Sequence, residues 1–473
     1  MQPWSKLAKM APDAVRSMQD SLISSVIKES AAGHPYYSQV LRDKNIEPAD
    51  IKGTGDLVKL PFTTKKDIEP TENDRFLPKK FVLEKTEEAE TGKKKGFFGK
   101  LFKKKEEEDD ADPYRLLQLF YSGGRTGKIV PIVYTSHDIK NLKEIGERAF
   151  DMWDIKREDT TVNAMSYSPH VSYWQMFYST MINGSTALQT GGGRVLGMEK
   201  ILKALFNLEA QLLITFPGYA DFALQVLERY GFPMPSLEKI VLGMDDIPMS
   251  MVDRVRKGME AVNAKDNKVF RSYFLSEAKG GWPECEPGYG YHINPDHCFV
   301  EIIDPETGER KGEGEPGEIV VTNLDAKGTV FLRFRSGDIA TGGIVYEPCK
   351  GCGRTMPRLL GDIERINYFF DINTGDGKKT FNFNQLRRSL YGISKVSQWY
   401  TEISSDAGKD TVKVVMCPKK DVSEDELKGD VENLVKEENP GIPFAISFSS
   451  IEDIVNRIGI EKNITDNRMF DAR

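Results

Sequence analysis

The chain has 473 residues, 39% of them hydrophobic, with a net charge of −7 and a pI of about 5.6. That much apolar material suits a large core in two or three domains, and the acidic balance gives no reason to expect a nucleic-acid partner. No apolar run approaches the roughly 20 residues of a membrane span.

The N-terminal stretch MQPWSKLAKMAPDAVRS lacks the apolar centre of a secretory signal, and five cysteines in so long a chain make no disulfide framework. A reduced, cytoplasmic protein is expected. Residues 11–43 carry apolar positions at three- and four-residue spacing and predict helices, with a break at Gly33-His34-Pro35. LVKLPFTTKKDIEP (57–70) reads as a loop. Residues 84–112 form a low-complexity charged insert. One reading is a solvated surface loop. The other rests on KKKGFFGKLFKKK (93–105), where Phe97, Phe98, Leu101 and Phe102 stand among seven lysines. Such interleaving suits weak contact with an anionic membrane surface, which the acidic run 106–112 opposes.

Next comes YSGGRTGKIVPIVYTSHD, Tyr121 to Asp138. Its glycines, hydroxyls and cations suit a phosphate-holding loop, although the spacing is not that of a Walker A motif. From 139 to 265 the strand-like runs TVNAMSY, STALQT, AQLLITF and KIVLGM alternate with helical runs, which predicts a largely parallel sheet under covering helices. Residues 268–346 are β-rich, with turns at EPGYG, PETGER and GEGEPG. Past about 361 a smaller α/β segment begins, with strands in KVSQWYTEIS and TVKVVMCP and an amphipathic helix in SEDELKGDVENLVKE.

Several stretches, in this order, resemble the adenylate-forming enzymes, and within them the phenylacetate–CoA ligase branch. They are LPFTTKKDI, the glycine loop, ITFPGYADFALQVLE, YFLSEAKGGWPEC, GEPGEIVVTNL, FLRFRSGDIA, CKGCGRTMPRLLGD and the TDNR of the tail. The resemblance implies an α/β fold: a large N-terminal domain (1–360) of layered α/β sheets with a β-rich subdomain, and a small C-terminal α/β domain (361–473) on a hinge. It implies an ATP-dependent, AMP-forming acid–thiol ligase. An aromatic or similar carboxylate attacks the α-phosphorus, pyrophosphate leaves, and coenzyme A takes the acyl group. Ser122, Gly123, Gly124, Thr126, Gly127 and Lys128 would wrap the phosphates, and Glu277 would position Mg²⁺. Tyr273 and Ser276 would lie beside the nucleotide, Asp338 would accept from the ribose hydroxyls, and the aromatic run 167–180 would line the acyl pocket. The acid is a small molecule of unread identity. A homodimer is compatible with the sequence.

Cys349 and Cys352, with two residues between them in EPCKGCGRT, form half of a tetrahedral zinc site. Cys285 and His292 are the natural other half, and some members of the branch share this arrangement. His297 or Cys298 could stand in for His292, and a loop without metal is the remaining reading. Four ligands with no open position would make a structural Zn²⁺.

Three positions depart from the family pattern. Arg125 replaces a usual Thr. Asp362 stands where the hinge usually carries a ribose-contacting Arg, with Arg365 three residues on as a substitute. Ile460 stands where the tail usually carries the Lys that bridges carboxylate and α-phosphate, a loss worth roughly 10²–10³ in rate. Lys462, two residues on, would reach the same region from an extended segment. These departures keep two alternatives open: adenylylation of a non-CoA acceptor, as in synthetases that act on a deazaflavin coenzyme, and nucleotide binding without turnover.

Overall fold

The structure, a computed structural model, describes residues 3–69, 79–84, 112–122, 130–193, 195–458 and 463–469. The charged insert therefore lies almost wholly outside the described residues, as do 123–129 and 459–462.

Helices Pro12–Gly33 and Pro35–Asp43 break where the sequence predicts. Pro35 takes the first helical turn, and the His34 ring accepts from the Tyr37 N–H at 3.2 Å. Residues 57–69 hold more regular structure than a loop. Thr64 and Asp67 form a reciprocal capping box that starts a short helix at Lys65–Ile68. β1 (Leu116–Ser122) and β2 (Val130–Thr135) pair antiparallel with Ser122 opposite Val130, so residues 123–129 connect the ends of two adjacent strands. Thr135 and Asp138 then cap the helix Ser136–Met152.

The predicted alternation produces a six-stranded sheet. β3 (Thr160–Asn163), β4 (Thr186–Gln189), β5 (Leu212–Thr215), β6 (Lys239–Leu242) and β7 (Lys268–Leu275) run parallel, and β8 (Gly280–Pro283) closes the edge antiparallel, in the order β4-β3-β5-β6-β7-β8. Crossover helices Val171–Asn183, Met198–Asn207, Pro217–Arg229 and Met249–Ala261 cover it. VFRSYFLSE thus contributes the last parallel strand rather than opening the antiparallel region. The buried run from Val269 to Ser272 fits a strand flanked on both sides within the sheet.

β9 (Tyr291–His292), β10 (Cys298–Ile303), β11 (Gly317–Asn323), β12 (Phe334–Ala340), β13 (Ile344–Val345), β14 (Arg358–Leu359) and β15 (Ile363–Arg365) build two small antiparallel sheets, β10-β11-β12-β15 and β13-β14-β9. The C-terminal segment opens with a hairpin, β16 (Phe369–Asn373) and β17 (Lys378–Asn382). β18 (Val396–Asp406), β19 (Lys409–Pro418), β20 (Phe444–Phe448) and β21 (Ile464–Asp466) follow as a sheet ordered β20-β19-β18-β21.

One apolar cluster runs from the parallel sheet into this segment, joining Leu224 and Val255 to Leu386 and Trp399. Arg254 seals the seam. Its Nε donates to Asp221 at 2.8 Å, and its Nη2 donates to the carbonyls of Val396 and Ser397 at 2.6 and 2.7 Å. Among the described residues no helix is long and apolar enough to cross a membrane.

Candidate nucleotide site and metal cluster

The parallel strands β6 and β7 end at a cavity roofed by β12 and β15. Its lining includes Asp245, Asp246, Tyr273, Phe274, Asp338 and Arg365. Crevices beyond the carboxyl ends of parallel strands are where open α/β sheets bind ligands. Tyr273, near the end of β7, donates its phenolic hydrogen to Asp338 Oδ2 at 2.7 Å. Burial, together with the Asp338 charge, pushes the Tyr273 phenol well above its usual range, so it stays a donor. Gly337 takes φ +76°, which a glycine adopts without a Cβ penalty, and the β11–β12 pairing slips beside it.

Past β7 the chain turns tightly at Ser276–Ala278. Ser276 Oγ donates to the Tyr121 carbonyl at 3.3 Å, and Tyr134 donates to the Ser276 carbonyl at 3.2 Å. Asn323 Nδ2 donates to the Glu277 carbonyl at 2.9 Å. The Glu277 carboxyl is buried, and its Oε1 has no hydrogen-bond partner among the described residues. Burial raises its pKa, while Lys65 and the Ser122 hydroxyl pull the other way. Ser122, Tyr273, Ser276, Glu277 and Asp338 are thus brought to one region. Gly123, Gly124, Thr126, Gly127, Lys128, Ile460 and Lys462 lie outside the described residues.

Sequence reasoning missed four participants. Lys65 belongs to the quoted LPFTTKKDI segment, yet only its electrostatic reach to Glu277 gives it a role. Asp245 and Asp246 follow KIVLGM and line the cavity. Arg387 holds Asp245 at 2.8 Å, and burial pushes the Asp246 carboxyl up to about 7. Arg271 on β7 is fully buried. It donates to both Glu284 oxygens at 2.5 and 3.0 Å and to Asp362 at 2.9 Å. Asp362 therefore faces an arginine of the protein, and Arg365, at the end of β15, is the arginine that lines the cavity. The aromatic run forms a cluster in which Tyr173 contacts Trp174 edge-on and Phe177 stacked, and Trp174, Phe177 and Phe274 pack on the same core.

Cys285, His292, Cys349 and Cys352 converge, every ligand atom within 4.8 Å of the others. Cys285 Sγ lies 3.6 Å from Cys349 Sγ, and Cys352 Sγ lies 3.4 Å from His292 Nε2. Tetrahedral zinc with thiolate bonds places ligand atoms roughly 3.8 Å apart, so the donor set fits. None of the cysteines is in a disulfide. The loop between Cys285 and His292 is fixed by Glu284, which accepts from the Gly288 and Gly290 N–H groups at 2.8 and 2.9 Å. His297 sits instead beside Asp296, whose carboxylate is occupied by Arg148, and Cys298 lies in the core.

Residues 48–324 match the family model described as AMP-binding enzyme. Among curated proteins, the chain is similar to the phenylacetate-coenzyme A ligase of Aromatoleum evansii, 24% identical over 474 residues with 96% of this chain and 93% of that one covered. It is also similar to the phenylacetate-coenzyme A ligase of Thermus thermophilus, 25% identical over 360 residues with 75% and 71% covered. Among solved structures it shares the fold of 2-hydroxyisobutyryl-CoA ligase. The match to the postadenylation state in complex with 2-HIB-AMP has a TM-score of 0.76 at 16% identity, covering 99% of this chain and 93% of that one. The thioesterification state of the same protein gives 0.62.

Proposed function

Because the chain belongs to the AMP-binding enzyme family, we propose that it is an ATP-dependent ligase that activates an aromatic or similar carboxylic acid as an acyl-adenylate and passes the acyl group to coenzyme A. The observation that carries this reading is that Tyr273 and Asp338 line one crevice at the end of the parallel sheet while Glu277, coupled to Ser122 and to the Asp338 charge, lies close by, the four coming from three separate motifs.

Asp338 would accept from the ribose hydroxyls, and Tyr273 would hold its carboxylate in place. Ser122 opens the stretch Gly123, Gly124, Thr126, Gly127 and Lys128, whose amides, hydroxyl and ammonium would take the phosphates. The orphaned Oε1 of Glu277 would hold Mg²⁺, which supplies charge neutralisation beside the triphosphate. Carboxylate and triphosphate repel one another, so the protein's contribution is alignment and charge balance. The four-ligand cluster would hold a structural Zn²⁺ that braces the 285–292 and 349–352 loops. The division into 1–360 and 361–473 would let the small domain rotate between half-reactions. The lysine-rich stretch 93–105 would add at most a weak membrane-surface contact.

Ile460 favours a second reading, adenylylation of a different acceptor or nucleotide binding without turnover. ATP–pyrophosphate exchange with a panel of aryl acids separates them. Exchange in the wild type that is lost in Lys462→Ala supports the ligase. Its absence in the wild type, with gain in Ile460→Lys, supports binding without turnover.

A further inference from the structure

β15 delivers one cation to the nucleotide crevice. β15 pairs antiparallel with β12, and the register sets Arg365 directly opposite Asp338. The acidic groups of the crevice already have partners: Asp338 is bound by Tyr273, Asp245 by Arg387 at 2.8 Å, and Asp246 lies 3.6 Å from the same arginine. Arg365 differs. Among the described residues its guanidinium forms no ion pair. Its side-chain neighbour is the face of Tyr368, with the guanidinium carbon 5.7 Å from the ring centre.

The strand cannot easily turn this cation away. Asp362 is held by Arg271 at 2.9 Å and Glu364 by Arg388 at 2.7 Å. Asn384 accepts from the Arg365 N–H at 3.2 Å and donates to its carbonyl at 3.1 Å, clamping the backbone from both sides. The charges of Asp245 and Asp338 favour the Arg365 cation, but neither carboxylate forms a close ion pair with it, so its N–H donors stay available to an anionic ligand. The crevice, with three aspartates along its wall, also needs a positive group before it can accept a phosphorylated ligand. Asp338 can only accept once ionised, which suits ribose hydroxyls. The anionic group bonded to the ribose in any nucleotide is the α-phosphate.

We infer that Arg365 holds the α-phosphate of the bound nucleotide, rather than acting as a second contact to the ribose. This rests on the nucleotide reading given above. It also assigns the reversed charge at Asp362 a purpose: Asp362 anchors the strand from which Arg365 reaches the ligand.

Equilibrium binding of adenosine, AMP and ATP to the full chain, without acid substrate, tests it against Arg365→Gln and Arg365→Lys. The expected result is a wild type that prefers AMP to adenosine. The Gln variant should keep the adenosine affinity and lose roughly ten- to a hundred-fold in AMP affinity, and the Lys variant should recover part of it. Equal weakening of adenosine and AMP would assign Arg365 to the ribose and overturn the inference. Unchanged AMP affinity would overturn it too. A wild type that binds none of the three ligands would remove the nucleotide reading itself, a separate failure. A circular-dichroism melt checks each fold. Should the Gln variant not fold, the Lys variant carries the comparison, with AMP weakened and adenosine unchanged as the expected outcome.

Discussion

The Arg271 guanidinium lies 2.9 Å from the Asp362 carboxylate, although the two residues are 91 positions apart. Arg271 also grips Glu284, which immediately precedes Cys285, so one buried arginine ties the cysteine loop to the start of β15. Asp362→Arg would restore the residue type the family motif suggests and would place two guanidinium groups in contact. We expect it to destabilise the fold by about 3–5 kcal/mol, as for breaking a buried pair. Asp362→Asn keeps an acceptor and should cost about 1–2 kcal/mol. Urea denaturation of the two variants checks both. Equal stability of Asp362→Arg and wild type would show that Arg271 needs only Glu284.

The Cys285, His292, Cys349 and Cys352 cluster predicts about one zinc per chain in protein purified without chelator. Cys349→Ser or Cys352→Ser should abolish binding and lower the melting temperature, because structural zinc contributes folding energy directly. Trp4 packs with Cys352, Cys285 and Cys349, and its Nε1 donates to Asp151 at 2.8 Å. Its fluorescence should therefore respond to metal removal. Elemental analysis that finds no zinc, with an unchanged melt in the serine variants, would leave the cluster a hydrophobic loop contact.

Asp246 predicts a pH dependence of stability. Its carboxyl is pushed from an ordinary 3.8 to about 7, first by burial, then by the neighbouring Asp245 and Asp362, with Arg387 opposing. A carboxyl raised on folding contributes its full stability below pH 4, where it is protonated in both states. It loses that contribution as pH rises through about 7, at about 1.4 kcal/mol per pH unit. Asp246→Asn removes the titration. The variant should gain on the wild type between pH 4 and 7, by a few kcal/mol in all, and the gap should level off above that. Parallel stability curves for the two proteins across this window would contradict it.

The sheet was legible because a parallel sheet leaves a repeated signature, apolar runs spaced by amphipathic helices. TVNAMSY, STALQT, AQLLITF and KIVLGM all became strands. All four residues of the tetrad were named from the sequence, with His297 and Cys298 as alternatives to His292. CxxC spacing is local, whereas the choice of His292 over His297 depends on which histidine β9 carries beside β14. The charge network was not legible. Arg271, Glu284, Asp362 and Arg388 lie far apart in sequence and meet only in the packed chain, and no periodicity links them. Asp246, the second of two aspartates after KIVLGM, carries no signal in the sequence. Its perturbation comes from burial, which is a property of the packed chain.

Arg254 gives the last prediction. It lies on the helix Met249–Ala261, pairs with Asp221, and donates to carbonyls at Val396 and Ser397 across the seam to the C-terminal segment. An apolar side chain there would strand Asp221 and two carbonyl acceptors in a buried setting. Gln225 and Ser397 add a polar contact at 2.6 Å, and Ser250 donates to the Arg388 carbonyl at 2.8 Å, but neither replaces a charge. Arg254→Met should therefore weaken docking of the segment by about 3 kcal/mol. The parallel sheet should stay intact, since its own strands do not depend on Arg254. Limited proteolysis should then cut first near 361–383, and calorimetry should resolve a low-temperature shoulder ahead of the main transition. If the variant instead melts in one transition at the wild-type temperature, the apolar contact of Leu224 and Val255 with Leu386 and Trp399 holds the two parts together without the arginine.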